Sequence, residues 1–319
     1  MKQVKNQNVQ KSLHWSNYWK GGQLTSLPQD FKENYEGNIQ NEWNISFSKL
    51  KDSNKILDLC AGNCAISLLA VEYKNSNKLD IEVNALDAAD INKKNILKKF
   101  PNKKNQLDEI KIYSNTRVEN TKLESNHFDL ITSQYGIEYC DWELAAKEVN
   151  RLLKPQGEFV LISHSGSTEI VKYMNIEKND YQALFDSLLF KYLSRYSHNK
   201  ISYRDLMSRL KKIQPKIVSR YKENPTQLLE SILIVLDNIY AMPKSKMKAN
   251  QNELDLLCKQ HRFAFERMND LLRVIKLMLE NPNWYDVFIR NGLELIEKKD
   301  IVHNSSVNSG QLFRFQKIK

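Results

Sequence analysis

The chain has 319 residues, of which 41% are hydrophobic and 27% charged, enough apolar material for the core of one large domain or two modest ones. It carries a net charge of +10 and a pI near 9.2, but its lysines are dispersed and often neighbour asparagines, so the basic balance does not single out a polyanion site. The densest basic run, residues 93–104, reads as a solvated helix and turn, and nucleic acid is not favoured as a partner. The most apolar helical stretch, residues 228–241, is interrupted by Glu230 and Asp237, and no segment approaches a membrane span. The polar start MKQVKNQNVQ has no secretory character, so a soluble, cytoplasmic protein is expected. Cys60, Cys64, Cys140 and Cys258 fit neither a disulfide framework nor a metal-ligand set, and no metal is expected.

The first 50 residues are polar but rich in aromatics, including Trp15, Tyr18, Trp19, Phe31, Tyr35, Trp43 and Phe47. Gly21-Gly22 and Pro28 break them into short helices and loops. Trp15, Tyr18 and Trp19 are too apolar for a free tail; with the Gly-Gly pair as hinge they are expected to close over a ligand, and simple packing on the sheet edge is the alternative. Strand and helix patterns then alternate. Residues 55–59 form a strand, and residues 65–73 a helix with Ile66, Leu69, Ala70 and Tyr73 on one face. A strand over 81–86, a helix over 93–100 stopped by Pro101, and strands over 110–113 and 128–133 follow. A helix over 142–153 is closed by Lys154-Pro155-Gln156-Gly157, and a fifth strand covers 158–163. This alternation implies right-handed βαβ units and a doubly wound, mostly parallel sheet. From 168 to 290 only helical periods occur, with one apolar stripe from Tyr181 through Leu184, Leu188 and Leu193 to Tyr196, and another from Leu254 to Ile275. Two strand-like pieces, 293–302 and 311–317, joined by the polar link 303–310, fit a closing antiparallel hairpin. The expected organisation is an N-terminal segment over 1–50, an α/β core over 51–166 and 292–319, and a helical insertion over 167–291.

The chemistry concentrates between the first strand and its helix, at Asp58-Leu59-Cys60-Ala61-Gly62-Asn63-Cys64. Small residues there let backbone approach a ligand, and the helix start points N–H groups at it. One glycine in such a loop is a weak signal, and Asp58 sharpens it. An acid before the loop would repel a pyrophosphate but suits a cationic head, such as the sulfonium and ammonium of S-adenosylmethionine. Asp87 ends the second strand at the spacing of a ribose-binding carboxylate, which can accept both hydrogens of a vicinal diol.

KILDLCAGNCAIS resembles the first motif of class I S-adenosylmethionine-dependent methyltransferases, and NALDAAD their second acidic motif. HFDLITSQYGIEY and ELAAKEVNRLLKPQGEFVLISH resemble their fourth strand, helix, turn and fifth strand. The resemblance spans residues 55–165 and 293–319. It implies a seven-stranded Rossmann-like sheet, a methyltransferase activity and S-adenosyl-L-methionine as cofactor. It further implies that Ala61, Gly62 and Asn63 wrap the methionine part with help from Asp58. Asp87 would hold the ribose, with Ala88 beside the adenine. Arg117 and Val118 would lie at the adenine, although an acid is usual where Arg117 stands. Ser133, Gln134 and Tyr135 would line the methyl-donor end; Tyr18 is expected at the cofactor from its place in the aromatic N-terminal segment, not from the resemblance. Glycines common in the family's loop are replaced by Cys60 and Cys64, which take positive φ less cheaply.

Four residues at the ends of strands four and five could remove a proton from the acceptor: Tyr135, Glu138, Tyr139 and His164. Histidine titrates near neutrality, which suits it to general-base work, and His164 follows the apolar run FVLIS. His164 and Tyr135 are therefore the candidate catalytic residues; a strand-end cap and a plain pocket wall are their structural alternatives. SQYG does not match the Asn/Asp-Pro-Pro-aromatic pattern of nucleic-acid amino-methylating enzymes. The expected function is transfer of a methyl group to an oxygen or nitrogen of a small or mid-sized acceptor, with no membrane span. An RNA or protein acceptor, and a catalytically silent scaffold, stay open as alternatives. So does an oligomer formed through the helical insertion, which is otherwise expected to roof the acceptor pocket.

Overall fold

The structure, a computed structural model, describes residues 13–26, 31–166, 168–303 and 307–318. Pro28, the opening decapeptide, Ser167 and the middle of the link at 303–310 lie outside them. The chain divides into two compact units, residues 1–166 with 274–319, and residues 167–273.

The first unit is built on a seven-stranded sheet of order β3-β2-β1-β4-β5-β7-β6. Its strands are β1 (Lys55–Leu59), β2 (Glu82–Leu86), β3 (Ile110–Tyr113), β4 (Phe128–Gln134), β5 (Leu153–Ser163), β6 (Leu293–His303) and β7 (Val307–Lys317). The first five pair in parallel, and β7 lies antiparallel between β5 and β6. β1 pairs β2 on one side and β4 on the other, so the strand order reverses at β1. In open α/β sheets the crevice beyond the carboxyl ends at such a reversal is where ligands bind.

Near-continuous apolar runs make these strands, because helices cover both faces. A helical stretch at 13–19 (α1) is followed by α2 (Gly37–Phe47), α3 (Ala65–Asn77), α4 (Lys93–Lys99), α5 (Lys104–Asp108) and α6 (Trp142–Leu152). Trp43 and Phe47 of α2 join Leu68, Leu69 and Val71 of α3 in the core on one face. On the other, Val149 and Leu152 of α6 pack with Phe159, Phe313 and Phe315 of the sheet and Phe288 of a later helix, α13 (Asp286–Arg290).

Two boundaries differ from the sequence reading for identifiable reasons. The Lys-Pro-Gln-Gly stretch, expected as a turn, lies inside β5, which starts at Leu153. Gln156 takes φ +66° and the β4–β5 register shifts between Phe128 and Leu130, so the turn-forming residues make a bulge instead of ending the strand. The hairpin link is shorter than expected, because residues 307–310 already pair as β7.

The second unit is helical: α7 (Thr168–Asp186), α8 (Leu189–Ser197), α9 (Tyr203–Glu223), α10 (Gln227–Ala241), α11 (Lys244–Ala249) and the larger part of α12 (Gln251–Glu280). The stripe read from Tyr181 to Tyr196 is broken at Leu188, whose left-handed backbone (φ +65°) ends one helix and starts the next. Leu188 is thereby exposed, while Leu184, Leu189, Leu193 and Tyr196 stay buried. In α9, Leu206, Leu210, Ile213 and Ile217 face the core at helical spacing, behind a capping box of Ser202 and Asp205. Buried Asp180 accepts from Arg220 Nε and Thr226 Oγ1, tying three helices together. No helix among the described residues is long and apolar enough to cross a membrane.

Candidate active site

The loop after β1 turns by left-handed backbone at Cys60 (φ +55°), Gly62 (φ +50°) and Cys64 (φ +66°), the last capping α3. Cysteine bears a Cβ penalty in this region that glycine escapes, so the surroundings must hold the loop. Asp58 does part of this. It is buried, and its Oδ2 accepts from the Ser67 backbone N–H (3.2 Å) and hydroxyl (2.8 Å), while Oδ1 accepts from Thr132 Oγ1 (3.0 Å). Burial pushes its carboxyl up to about 7, against the opposing pull of those bonds.

Asp87, just beyond β2, clamps the loop from the other side. Its Oδ2 accepts from Gly62 N–H and its Oδ1 from Ala89 N–H, each at 2.7 Å. Desolvation raises its carboxyl above the ordinary range, and these two bonds oppose the shift. Ala88 is exposed. Beyond β3, Val118 is buried, and exposed Arg117 forms a two-point ion pair with Glu119, which also accepts from Asp141 N–H.

The N-terminal segment lies directly on this loop. A Cβ on Gly62 would fall 2.4 Å from Trp19 Cζ2, so only glycine allows the ring to pack there. Asn63 Nδ2 donates to the carbonyls of Trp19 (2.9 Å) and Gln23 (2.8 Å), and Ser16 Oγ accepts from Asp90 N–H. Trp15 meets Tyr139 edge-on with centroids 5.6 Å apart, and Tyr18 donates its hydroxyl to Thr25 O.

β4 supplies the third wall. Gln134 Oε1 accepts from Trp43 Nε1, and Ser133 Oγ accepts from Ile137 N–H. Buried Asn63 Oδ1 has no partner, and the Gln134 amide, beyond its bond to Trp43, faces the Tyr35 hydroxyl. Gly136 must be glycine, since a Cβ would lie 2.3 Å from Cys60 Cβ. Cys60 and Cys140 bring their sulfurs to 3.8 Å, and that neighbour, with burial, holds the Cys60 thiol well above its usual range. Tyr135 is buried with φ +53°, and its ring lies 4.7 Å from that of His164. His164 follows β5; its Nδ1 is 2.7 Å from Glu138 Oε1, and its backbone N–H donates to the same oxygen at 2.9 Å.

A family pattern described as a methyltransferase domain matches residues 57–161. Residues 57–161 therefore carry a methyltransferase domain. No curated protein matches the chain in sequence. Among solved structures it is similar to the YcgJ protein from Bacillus subtilis, at 17% identity over 55% of this chain and 68% of that one, with a TM-score of 0.33. A putative S-adenosylmethionine-dependent methyltransferase from Methanococcus maripaludis shares 19% identity over 68% and 83% of the two chains, with a TM-score of 0.33. A geranyl diphosphate methyltransferase shares 11%, covering 39% of this chain and less than half, 44%, of the other, with a TM-score of 0.33.

The first unit brings together, around the ends of β1, β2, β4 and β5, the sequence-selected residues Ala61, Gly62, Asn63, Asp87, Ser133, Gln134, Tyr135 and His164. Two residues differ from expectation in what they touch. Asp58 is committed to Ser67 and Thr132 within the fold, so it stiffens the loop from beneath instead of facing a cationic head. Arg117 pairs with Glu119, which places an acid two residues beyond the position where the resemblance implies one. The reading also missed the partners themselves: Trp43 for Gln134, Ser67 and Thr132 for Asp58, and Glu138 for His164. No local spacing signals these, because each joins residues from different elements. Among the described residues no cluster of histidine, cysteine and carboxylate side chains suited to a metal occurs.

Proposed function

We propose that this methyltransferase methylates an oxygen or nitrogen of a small or mid-sized acceptor, with His164 Nε2 receiving the acceptor's proton. The observation that carries this reading is a histidine at the carboxyl end of β5, ring to ring with Tyr135 at the end of β4. An oxygen or nitrogen nucleophile sheds a proton as it reacts, and a base at this edge of the sheet can take it.

The residues present fit the cofactor. Unpartnered buried Asn63 Oδ1 is an acceptor, the complement of an amino acid's ammonium. Ala61, Gly62 and Asn63 would hold that end, and Asp87, half-buried, retains lone pairs for a ribose diol beyond its two backbone bonds. Ala88, Arg117 and Val118 would border the adenine, Ser133 and Tyr135 the methyl-donor end, and Tyr18 and Trp19 the outer cover. The cofactor supplies an electrophilic methyl group on a sulfonium; the chain orients the acceptor, excludes water and holds the proton.

Calorimetry tests the cofactor assignments. S-adenosylhomocysteine should bind and NAD should not, and Asp87→Ala should weaken binding by about 1–3 kcal/mol, the loss of charged hydrogen bonds. Tighter binding of NAD than of S-adenosylhomocysteine would overturn them. Labelled S-adenosylmethionine incubated with small-molecule, RNA and protein fractions of an extract tests the acceptor. Label confined to the RNA or protein fraction rules out a small acceptor, and label in none points to a silent scaffold.

A further inference from the structure

The strongest unexplained feature of the molecule is a carboxylate that its fold does not satisfy. Glu138 is buried, with its side chain sealed from solvent, and Oε2 has no hydrogen-bond partner. Oε1 takes two donors, both from His164: the backbone N–H at 2.9 Å and the ring at Nδ1, 2.7 Å away. No lysine or arginine pairs with it among the described residues.

A structural role does not account for this arrangement. Tethering His164 to the loop after β4 needs one buried acceptor, and a glutamine offers the same Oε1 while its desolvation costs far less than a carboxylate's. What a carboxylate does that an amide cannot is act only as an acceptor. An amide can turn its NH2 toward Nδ1 and allow either ring tautomer; a carboxylate at 2.7 Å requires the proton on Nδ1. The lone pair of the neutral ring then lies on Nε2, which makes no hydrogen bond to a described residue. Tyr135 and Tyr139 flank the ring with centroids at 4.7 and 5.8 Å, which limits its rotation.

From this geometry we infer that Glu138 is a positioning residue that locks His164 in the Nδ1–H tautomer, so that Nε2 is the atom presented as base. The inference rests on the reading of His164 given above and supplies what that reading lacks, the choice of nitrogen. In the step it serves, the O–H or N–H bond of the acceptor breaks and its proton bonds to the Nε2 lone pair. The bonding electrons stay on the acceptor atom as its nucleophilic pair. The imidazolium so formed holds one proton on each nitrogen, with Nδ1–H still on Glu138.

The test is 15N NMR of the full chain labelled at histidine and saturated with S-adenosylhomocysteine, with the His164 signals identified by their loss in His164→Gln. The neutral wild-type ring should show the Nδ1–H pattern. In Glu138→Gln the ratio of the two tautomers should move toward Nε2–H by about tenfold, as loss of one charge-assisted hydrogen bond implies. Glu138→Asp, which keeps the charge on a shorter arm, should recover part of the wild-type ratio. Unchanged affinity for S-adenosylhomocysteine and an unchanged melting temperature identify variants that remain folded. A wild-type ring in the Nε2–H form, or the same tautomer ratio in wild type and Glu138→Gln, overturns the inference. These outcomes need no acceptor, so they are separate from failure of the functional reading, which is absence of transfer by the wild type. Once an acceptor is in hand, Glu138→Gln should lower kcat by tenfold or more with KM for S-adenosylmethionine unchanged.

Discussion

Asp58 shows how a single side chain holds the cofactor loop and what that costs. It is 1% exposed, its bonds come from neutral donors, and its carboxyl is pushed up to about 7 by burial. A carboxyl whose folded pKa exceeds its unfolded value, here an ordinary 3.8, binds more protons when folded. The stability this group contributes is therefore fully present below about pH 4 and is lost as pH rises from there through about 7. Between about pH 8 and pH 5 the wild type should gain about 2.5–3 kcal/mol relative to Asp58→Asn, since the two units from about 7 to 5 are each worth about 1.4 kcal/mol. Asparagine preserves the pattern, accepting from Ser67 and donating to Thr132. Thermal melts of both proteins across that range decide it, and parallel curves would show that Asp58 does not titrate there. The residue scale is also where sequence reading reached least far. That an acid stands before the loop is plain in KILDLCAG, but its direction depends on Ser67 in α3 and Thr132 in β4, residues 9 and 74 positions away.

At the scale of elements, the aromatic N-terminal segment is the part most directly engaged with the loop. Its hold is mixed: Trp19 packs on Gly62, two backbone carbonyls accept from Asn63, and Leu24 is buried in the core beside α3. Removing the whole segment would expose core, so a single ring is the better probe. Trp19→Ala should weaken S-adenosylhomocysteine binding by about 1 kcal/mol, roughly fivefold, the value of one aromatic contact. Tighter binding in the variant would mean that the ring occupies the ligand's place instead of covering it. The alternation of apolar runs made most strands and helices legible, since each buried strand needs a short apolar run and each crossover helix an apolar face. What escaped were places where a local signal yields to pairing or packing. Lys154-Pro155-Gln156-Gly157 has turn chemistry, yet Phe128 pairs with Leu153 and draws it into β5. Leu188 continues an apolar stripe, yet the helix breaks there and the residue is exposed.

For the whole molecule, the decisive fact is that the helical unit interrupts the sheet unit instead of following it. Residues 167–273 separate β5 from the hairpin of β6 and β7, and the first unit resumes at Val274 within α12. Every residue proposed to hold the cofactor belongs to the first unit, so the helical unit is free to be the part that chooses the acceptor. Its departure point agrees with that, because the chain leaves the first unit only two residues after His164. The two tasks should therefore be separable. A Cβ on Gly166 would lie 2.6 Å from Leu279 Cδ2, and the five residues from 279 back to 274 rise only about 7.5 Å along a helix. A flexible linker of about four to six glycines and serines, which spans roughly 10–15 Å, can join Gly166 to Val274. In the excised protein S-adenosylhomocysteine should still bind within about threefold of the full chain, about 0.7 kcal/mol. Transfer to the acceptor fraction labelled by the wild type should be lost. Calorimetry and the label assay read the two separately. If affinity for the cofactor product falls with the excision while the sheet unit stays folded by circular dichroism, the helical unit helps to build the cofactor site. If transfer persists, acceptor choice belongs to the sheet unit.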